Sequence, residues 1–499
     1  MSDVDQRAIT ISLISHTNAG KTTLARTLLR RDIGEIRDEA HVTDESEVHP
    51  LIETPDGVSL RLWDTPGFGD SARLLKRLRM SRNPIGWLLT QVWDRFLDRP
   101  LYCSQQAVVN VRDQAEIVLY LVNSAEDPES APFVEMEMEV LSWIGKPVLV
   151  LLNQTGKIKP KNAERKEEDR WHAHLKGFSV VKDTLSLDAF ARCWVQEGRL
   201  LKAVASALRS VKQDAFQAIL FEWRHRNLKT FDQSMAAMGR YLSETLEDAE
   251  PIPEVTLRET FMKLTNFGTT GGSETQAARE SAMAAMTDRL SSRVGRLMDE
   301  LLELHGLEGD AADEIQRRLT NDFQSEEPVS AGLASVVGGM FSGAIGGVVA
   351  DLMSGGLTFG GGAVVGGVLG AASAAGIARG FNVVKNRRQP CIRWSDEFVG
   401  GLFRASILRY LAVAHFGRGR GGYCDSEHPE FWRQSVETTL ERHFEAFQRL
   451  LKLRDRHTMN AGPLSQLATV VVRELLICRY PDSIDVFDST AEMEETTVS

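Results

Sequence analysis

Cysteine is scarce in this 499-residue chain and scattered where it occurs. The five cysteines, at 103, 193, 391, 424 and 478, make no C-x-x-C pair and no dense framework. That excludes a small disulfide-built secreted scaffold and suits a reducing cytosol. Positive charge is also in short supply: 58 Lys and Arg face 69 Asp and Glu, a formal net charge of −11. Such a balance argues against a broad electrostatic grip on nucleic acid, which is not expected as a partner. The first residues are polar and lead directly into an apolar run, so no signal peptide is expected. No Ser/His/Asp or Cys/His nucleophile arrangement stands out, and His172 and His174 do not form a metal-ligand set.

What is present begins at residues 9–23. Apolar and β-branched residues (Ile9 to Ile14) run into Ser15-His16-Thr17-Asn18-Ala19-Gly20-Lys21-Thr22-Thr23, and a helical pattern follows. Strand, small-residue loop and helix N-terminus in that order predict a P-loop. Backbone N–H groups of the loop and of the open first helical turn suit phosphate oxygens, and the helix dipole favours their charge. Lys21 is placed to reach the β- and γ-phosphates, and the Thr22 hydroxyl to ligate Mg²⁺. The first glycine of G-x-x-x-x-G-K-[ST] is replaced here by Ser15.

Residues 9–205 alternate short apolar runs with helical patterns, which predicts βαβ units around a mostly parallel sheet. Strands are expected over 9–15, 58–63, 117–122 and 147–152, the last two apolar enough to lie centrally. Residues 48–52 are expected to pair with 58–63 across the turn at Pro55-Asp56-Gly57. The strand over 58–63 ends in Asp64-Thr65-Pro66-Gly67. A D-x-x-G there, after a P-loop, puts a second carboxylate near Mg²⁺ and a Gly67 N–H near a γ-phosphate. Thr43, in a loop between the two motifs, reads either as a Mg²⁺- and γ-phosphate-sensing threonine or as an ordinary loop residue.

With these motifs in order, residues 9–190 resemble a translation-factor-class GTPase domain of the Era/TrmE-like branch. Leu151-Leu152-Asn153-Gln154-Thr155-Gly156 stands where that family has N-K-x-D. The whole chain resembles a bacterial family that pairs such a domain with a helical C-terminal half. The resemblance implies Mg²⁺-dependent hydrolysis of GTP to GDP and phosphate. By it, nucleotide contacts fall on Asn18, Ala19, Gly20, Lys21, Thr22, Thr23, Asn153 and Gln154. The catalytic set is Lys21, Thr43 and Gly67, Mg²⁺ is served by Thr22, Thr43 and Asp64, and K⁺ is held at Asn18. Two departures qualify it. Phe68 follows D-x-x-G where Ras-like enzymes place a water-orienting glutamine, and Gly156 replaces the aspartate that reads guanine. Asp188 would supply a carboxylate near the base or else cap a helix.

Residues 71–115 carry Arg73, Lys76, Arg77, Arg79 and Arg82, then Trp87 and Trp93. They read either as an amphipathic arm that meets a partner or lipid, or as a helix pair packed on the sheet. Residues 206–328 are expected to form a helical stalk. At 331–353 and 357–378 the chain turns apolar and glycine-rich, with Asp351 the only charge and glycines recurring every four residues. That is a glycine-zipper hairpin, just long enough for a bilayer core of ~30 Å. Lys385, Arg387 and Arg388 beyond it fit the cytoplasmic side. The competing reading is a tightly packed hairpin inside a soluble bundle. Residues 391–480 are expected to be helical, and 481–499 an acidic disordered tail. The basic loop at 417–422 reads as a linker more readily than as an RNA contact.

The expected fold is therefore an α/β P-loop GTPase domain over 1–205, with a mostly parallel sheet flanked by helices. A stalk (206–328), the hairpin (329–390), a helical region (391–480) and the tail follow. The expected role is a molecular switch in the cytoplasm or at the cytoplasmic face of the inner membrane. Its partners would be GTP or GDP, a lipid bilayer through 331–378 and a second copy through the GTPase domain. The alternatives are a membrane-structural protein gated by nucleotide and an RNA-associated assembly GTPase.

Overall fold

A computed structural model of the chain describes residues 7–16, 19–30, 47–90, 99–153, 161–187, 193–251, 273–307, 381–384, 391–416, 430–454 and 460–487. They divide into two compact units, one of residues 1–229, 414–425 and 476–499, the other of 230–413 and 426–475.

The first unit is built on a six-stranded sheet. Its strands are β1 (Ala8–Ser15), β2 (Glu47–Glu53), β3 (Ser59–Asp64), β4 (Ile117–Asn123), β5 (Val148–Asn153) and β6 (Val181–Ser186), in spatial order β2-β3-β1-β4-β5-β6. All neighbours are parallel except β2 and β3. β4 and β5, nearly all apolar, are buried along their length, as strands covered on both faces must be. β2 lies at the edge and tolerates Pro50, where its register shifts. The β2–β3 turn closes through Gly57, whose φ of 81° favours a residue without a Cβ. Helices flank the sheet: α1 (Lys21–Leu29), α2 (Ser71–Arg79), α3 (Pro84–Thr90), α4 (Arg99–Asp113), α5 (Pro132–Ile144), α6 (Lys161–Leu175), α7 (Trp194–Ala207) and the first part of α8 (Gln213–Glu247). This is the α/β architecture that the sequence predicts.

The segment after D-T-P-G settles into the body of the unit. Leu74, Leu75, Leu78, Leu88 and Leu101 share one core with Val118, Tyr120 and Val150, and Trp87 packs against it. The arginines of α2 face outward because its leucines occupy the inner stripe, so the packed-helix reading holds there. Trp93 lies outside the described residues.

The second unit is mainly helical. It takes the rest of α8, then β7 (Ala249–Pro251), α9 (Ser273–Leu304), β8 (Phe381–Val384), β9 (Cys391–Trp394), α10 (Asp396–Ala414), α11 (Glu430–Arg442), α12 (Phe444–Leu453) and most of α13 (Ala461–Arg479). Arg289 and Arg293 of α9 donate to the two oxygens of Asp248, at 3.0 and 2.7 Å, and Arg289 also donates to Glu250 of β7 at 2.8 Å, which pins the helix to the strand. Among the described helices α13 is long and apolar enough to cross a membrane, and Leu464, Ala468, Val471, Val472 and Leu475 on it are buried within the protein.

Three expectations are corrected. A small antiparallel sheet, β7-β9-β8, interrupts the expected all-helical region, because Phe381–Val384 and Cys391–Trp394 are each four residues long, too short to show a strand period in the sequence. Within the helical region expected over 391–480, the run from Glu430 to Leu453 breaks at His443, whose Nε2 lies 2.7 Å from Glu474 Oε2. Residues 481–487 are ordered rather than tail. A 3-10 turn (Pro481–Ser483) and α14 (Ile484–Phe487) bury Val486 and Phe487, and the Phe487 ring meets Trp194 edge-on at 5.5 Å. The glycine-rich hairpin at 331–378, the loop at 417–422, and Thr43, Asn18, Gln154, Gly156 and Asp188 lie outside the described residues.

Candidate nucleotide-binding site

The site forms where β1 and β3 end side by side. Their parallel register sets Leu13 opposite Asp64, so the P-loop and D-T-P-G leave the sheet at the same edge. Ligands of open parallel sheets bind at this carboxyl end. Gly20 caps α1 in the left-handed region, at φ 85° and ψ 31°, a turn that a side chain would strain. The helix that follows begins at Lys21, and its first turn carries the N–H groups that a helix leaves without an earlier turn of its own.

Lys21 is buried and its Nζ lies 3.3 Å from Ser15 Oγ. Burial pushes its ammonium below the usual lysine range, while Asp64 and then Glu137 pull it back up. Ser15 thus gives the lysine a hydroxyl to rest on where the usual motif has glycine. The Thr22 hydroxyl donates to Asp64 Oδ2 at 2.8 Å. Burial pushes the Asp64 carboxyl up, opposed by Lys21 and by that hydrogen bond. Asp64 Oδ1 is buried with no hydrogen-bond partner. An acceptor oxygen in this condition, beside a threonine hydroxyl and a helix N-terminus, fits a hard divalent cation that takes few protein ligands and completes its shell from phosphate and water. Thr23 is turned into the core, and its carbonyl accepts from the Thr27 hydroxyl at 3.1 Å.

From the far side, Asn153 at the end of β5 reaches under the loop. Its side-chain Nδ2 donates to Ala19 O at 2.8 Å, and the residue is fully buried. The asparagine of the N-K-x-D position therefore braces the phosphate loop. The structure brings together Ala19, Gly20, Lys21, Thr22, Asp64 and Asn153.

The D-T-P-G segment is fastened on both sides of Gly67. The Thr65 hydroxyl donates to Leu13 O at 2.5 Å, and Phe68 N–H donates to Ser15 O at 2.9 Å. Phe68 is fully buried in the core, so its ring cannot face an attacking water. Gly69 N–H meets Ser104 Oγ at 3.2 Å, and Asp70 then caps α2 by accepting from Arg73 N–H at 2.9 Å.

One part of the site was not expected. Glu137 of α5 is fully buried and accepts from His16 Nδ1 at 2.7 Å, from the Ser71 hydroxyl, and from the Tyr120 hydroxyl at 2.6 Å. A signal existed in the sequence: Glu137 sits beside the apolar stripe Val134, Met138, Leu141 on the helix. It was masked because Glu135 and Glu139 flank it at equal spacing.

Comparison with known proteins adds three findings. Residues 10–154 match the family model described as a 50S ribosome-binding GTPase, and residues 179–473 match the one described as a domain of unknown function (DUF3482). No curated protein matches the chain. Among solved structures, Era in complex with MgGDPNP and a segment of 16S ribosomal RNA is 17% identical over 41% of this chain, with a TM-score of 0.30. Aquifex aeolicus Era bound to GDP and aluminium fluoride is 17% identical over 41%, with a TM-score of 0.29. A bacterial selenocysteine-specific elongation factor is 17% identical over 40%, with a TM-score of 0.27. The match spans 58% of each Era chain and 28% of the elongation factor.

Proposed function

Because the chain belongs to the family described as a domain of unknown function (DUF3482) and carries a GTPase domain ahead of that region, we propose that it hydrolyses GTP to GDP and phosphate and works as a molecular switch. The observation that carries the reading is the Thr22–Asp64 hydrogen bond at 2.8 Å beside a buried Lys21. It joins the P-loop to D-T-P-G at the point where a nucleotide's phosphates and Mg²⁺ belong.

In this reading Lys21 and the N–H groups of α1 bind the phosphates and offset charge on the transferred group. Thr22 and Asp64, with Thr43, hold Mg²⁺, which supplies charge neutralisation on the β- and γ-phosphates when bound. Gly67 N–H meets the γ-phosphate, and Asn153 with Gln154 borders the base. Asn18 is assigned to K⁺. No side chain is assigned as general base. Intrinsic turnover is therefore slow, which suits a switch that waits for a partner, a cation or a membrane.

The glycine-rich run at 331–378 supports a switch that acts at the cytoplasmic face of a membrane. The test is nucleotide binding and phosphate release by the full chain, GTP against ATP, in K⁺ and Na⁺ buffers, with and without liposomes. GTP-selective turnover is expected, higher in K⁺ and higher again with liposomes. Equal weak binding of both nucleotides without turnover would overturn the reading. Lys21→Ala is expected to abolish any nucleotide-dependent membrane binding, and undiminished membrane binding would favour a structural role for the hairpin instead.

A further inference from the structure

Glu137 occupies a position where stability alone gives no reason for a carboxylate. A buried ionic group is expensive to desolvate, and packed apolar residues commonly serve as well or better. Here the carboxylate is fully buried on α5, and its two oxygens collect donors from three separate elements. Oε1 receives His16 Nδ1 at 2.7 Å together with the Ser71 hydroxyl, and Oε2 receives the Tyr120 hydroxyl at 2.6 Å. One turn earlier on the same helix the Phe133 ring lies over His16, with centroids 4.3 Å apart. Helix α5 therefore grips the second residue of the phosphate loop between an aromatic face and a carboxylate. Tyr120, in the buried centre of β4, is held as a neutral donor, its phenol raised first by burial and then by Glu137.

Ser71 is the first residue of α2. Between it and Gly67 the backbone is tied to the phosphate loop through Phe68 N–H and Ser15 O at 2.9 Å, and His16 pairs with Phe68 in a parallel bridge. One oxygen of Glu137 thus serves the phosphate loop and the start of α2 at once. A displacement of either donor changes what the shared oxygen offers the other.

We infer that Glu137 is a positioning residue that couples the phosphate loop, through His16, to helix α2, through Ser71, so that the contact a triphosphate makes at Gly67 is felt by both. This rests on the GTPase reading above and adds the route by which the nucleotide state leaves the site. Glu137 touches no nucleotide and does no chemistry.

The test is the ratio of dissociation constants for a fluorescent GDP and a non-hydrolysable GTP analogue, measured on the full chain with Mg²⁺. Glu137→Ala should bring that ratio toward unity by about tenfold, within the usual range of coupling between sites. Glu137→Gln should stay within about threefold of the parent, because its amide oxygen still accepts from His16 and Ser71 and its NH₂ can donate to Tyr120. Ser71→Ala deletes only the α2 donor and leaves α5 and β4 intact, so it reports even if Glu137→Ala does not fold. It should lower the ratio about fivefold. A residue with a merely structural role would weaken both nucleotides together and leave the ratio in place. A parent ratio near unity, or an unchanged ratio in Ser71→Ala, overturns the inference alone. A parent chain that binds neither nucleotide overturns the GTPase reading and the inference with it.

Discussion

Replacing Phe68 by glutamine would give the chain the residue that Ras-like enzymes carry after D-x-x-G, and the structure predicts that the change damages rather than improves it. The Phe68 side chain is fully buried among Ile14, Leu74, Leu78 and Leu101. Removing the ring from that environment forfeits about 2–3 kcal/mol of burial. The incoming amide has no partner there and adds about 1–3 kcal/mol for unmade hydrogen bonds. The sum, about 3–6 kcal/mol, is a large fraction of a domain's stability and corresponds to a fall in Tm of at least about 6 °C. Turnover should not rise, since the backbone bond from Phe68 N–H to Ser15 O fixes a main-chain path that turns this side chain inward. Differential scanning calorimetry of the two proteins, with phosphate release from GTP measured well below either transition, gives both readings. A variant that keeps its Tm and hydrolyses GTP faster would instead place residue 68 at the phosphates.

Asp64→Asn keeps the shape but removes the charge facing Lys21 and the Thr22 hydroxyl; GTP turnover should fall by about 100-fold or more, as for loss of an electrostatic group at a phosphoryl-transfer site, and rapid phosphate release by the variant would remove Asp64 from the site. Asn153→Ala leaves Ala19 O without its 2.8 Å donor; nucleotide affinity should drop by about tenfold with a stability loss of about 1–3 kcal/mol, read by titration and urea unfolding, and an affinity equal to the parent's would end the bracing role. Tyr241 in the second unit is raised to about 12 by burial, against the pull of Arg409 and Arg293. Its folded value lies above the unfolded one, so the native state holds the extra proton between pH 10 and 12. Stability is full below pH 10 and falls as pH rises through that window, by about 3 kcal/mol for a two-unit shift. Tyr241→Phe should flatten this slope and cost nothing at pH 7, because the Tyr241 hydroxyl is buried with no hydrogen-bond partner. Urea midpoints at pH 7 and pH 11 check it, and a clear loss at pH 7 would show that the hydroxyl has a partner after all.

The parts of this molecule that sequence reveals are those whose cause is local. The P-loop and D-T-P-G are legible because strand, turn and helix follow one another within a few residues, and because the strand ends fix where Lys21, Thr22 and Asp64 arrive. β4 and β5 declare themselves as apolar runs that only a two-sided burial explains. The strands Phe381–Val384 and Cys391–Trp394 do not, because four residues are too few for either periodicity to stand out. Residues 481–487 read as tail because Asp482 and Asp485 dominate their composition, yet two apolar side chains, Val486 and Phe487, suffice once Trp194 and Trp223 form a surface to receive them. Glu137 fails for the converse reason. Its helix explains its spacing completely, and only the tertiary placement of His16, Ser71 and Tyr120 around it gives the charge a purpose.

On the proposed GTPase reading, Phe68 and Glu137 together account for a chain that dispenses with a polar residue after D-x-x-G and still couples its nucleotide to helix α2. In the Ras-like arrangement the residue after the glycine serves the attacking water, so switch and catalyst share one side chain. Here that side chain is committed to the core, and the same stretch of backbone is fastened at Thr65, Phe68 and Gly69. Fixing the chain on both sides of Gly67 confines any change there to a short span, and the next free handle along the chain is the Ser71 hydroxyl on Glu137. On that reading the arrangement lowers the intrinsic rate, because the side chain at position 68 is committed to the core. Its gain is a defined path from the γ-phosphate position to helix α2 and, through His16, back to the phosphate loop. Catalytic rate and signal transmission are then carried by different residues, and single substitutions at Asp64 and at Ser71 should separate them: the first lowers turnover, while the second leaves turnover largely in place and lowers the preference for the triphosphate.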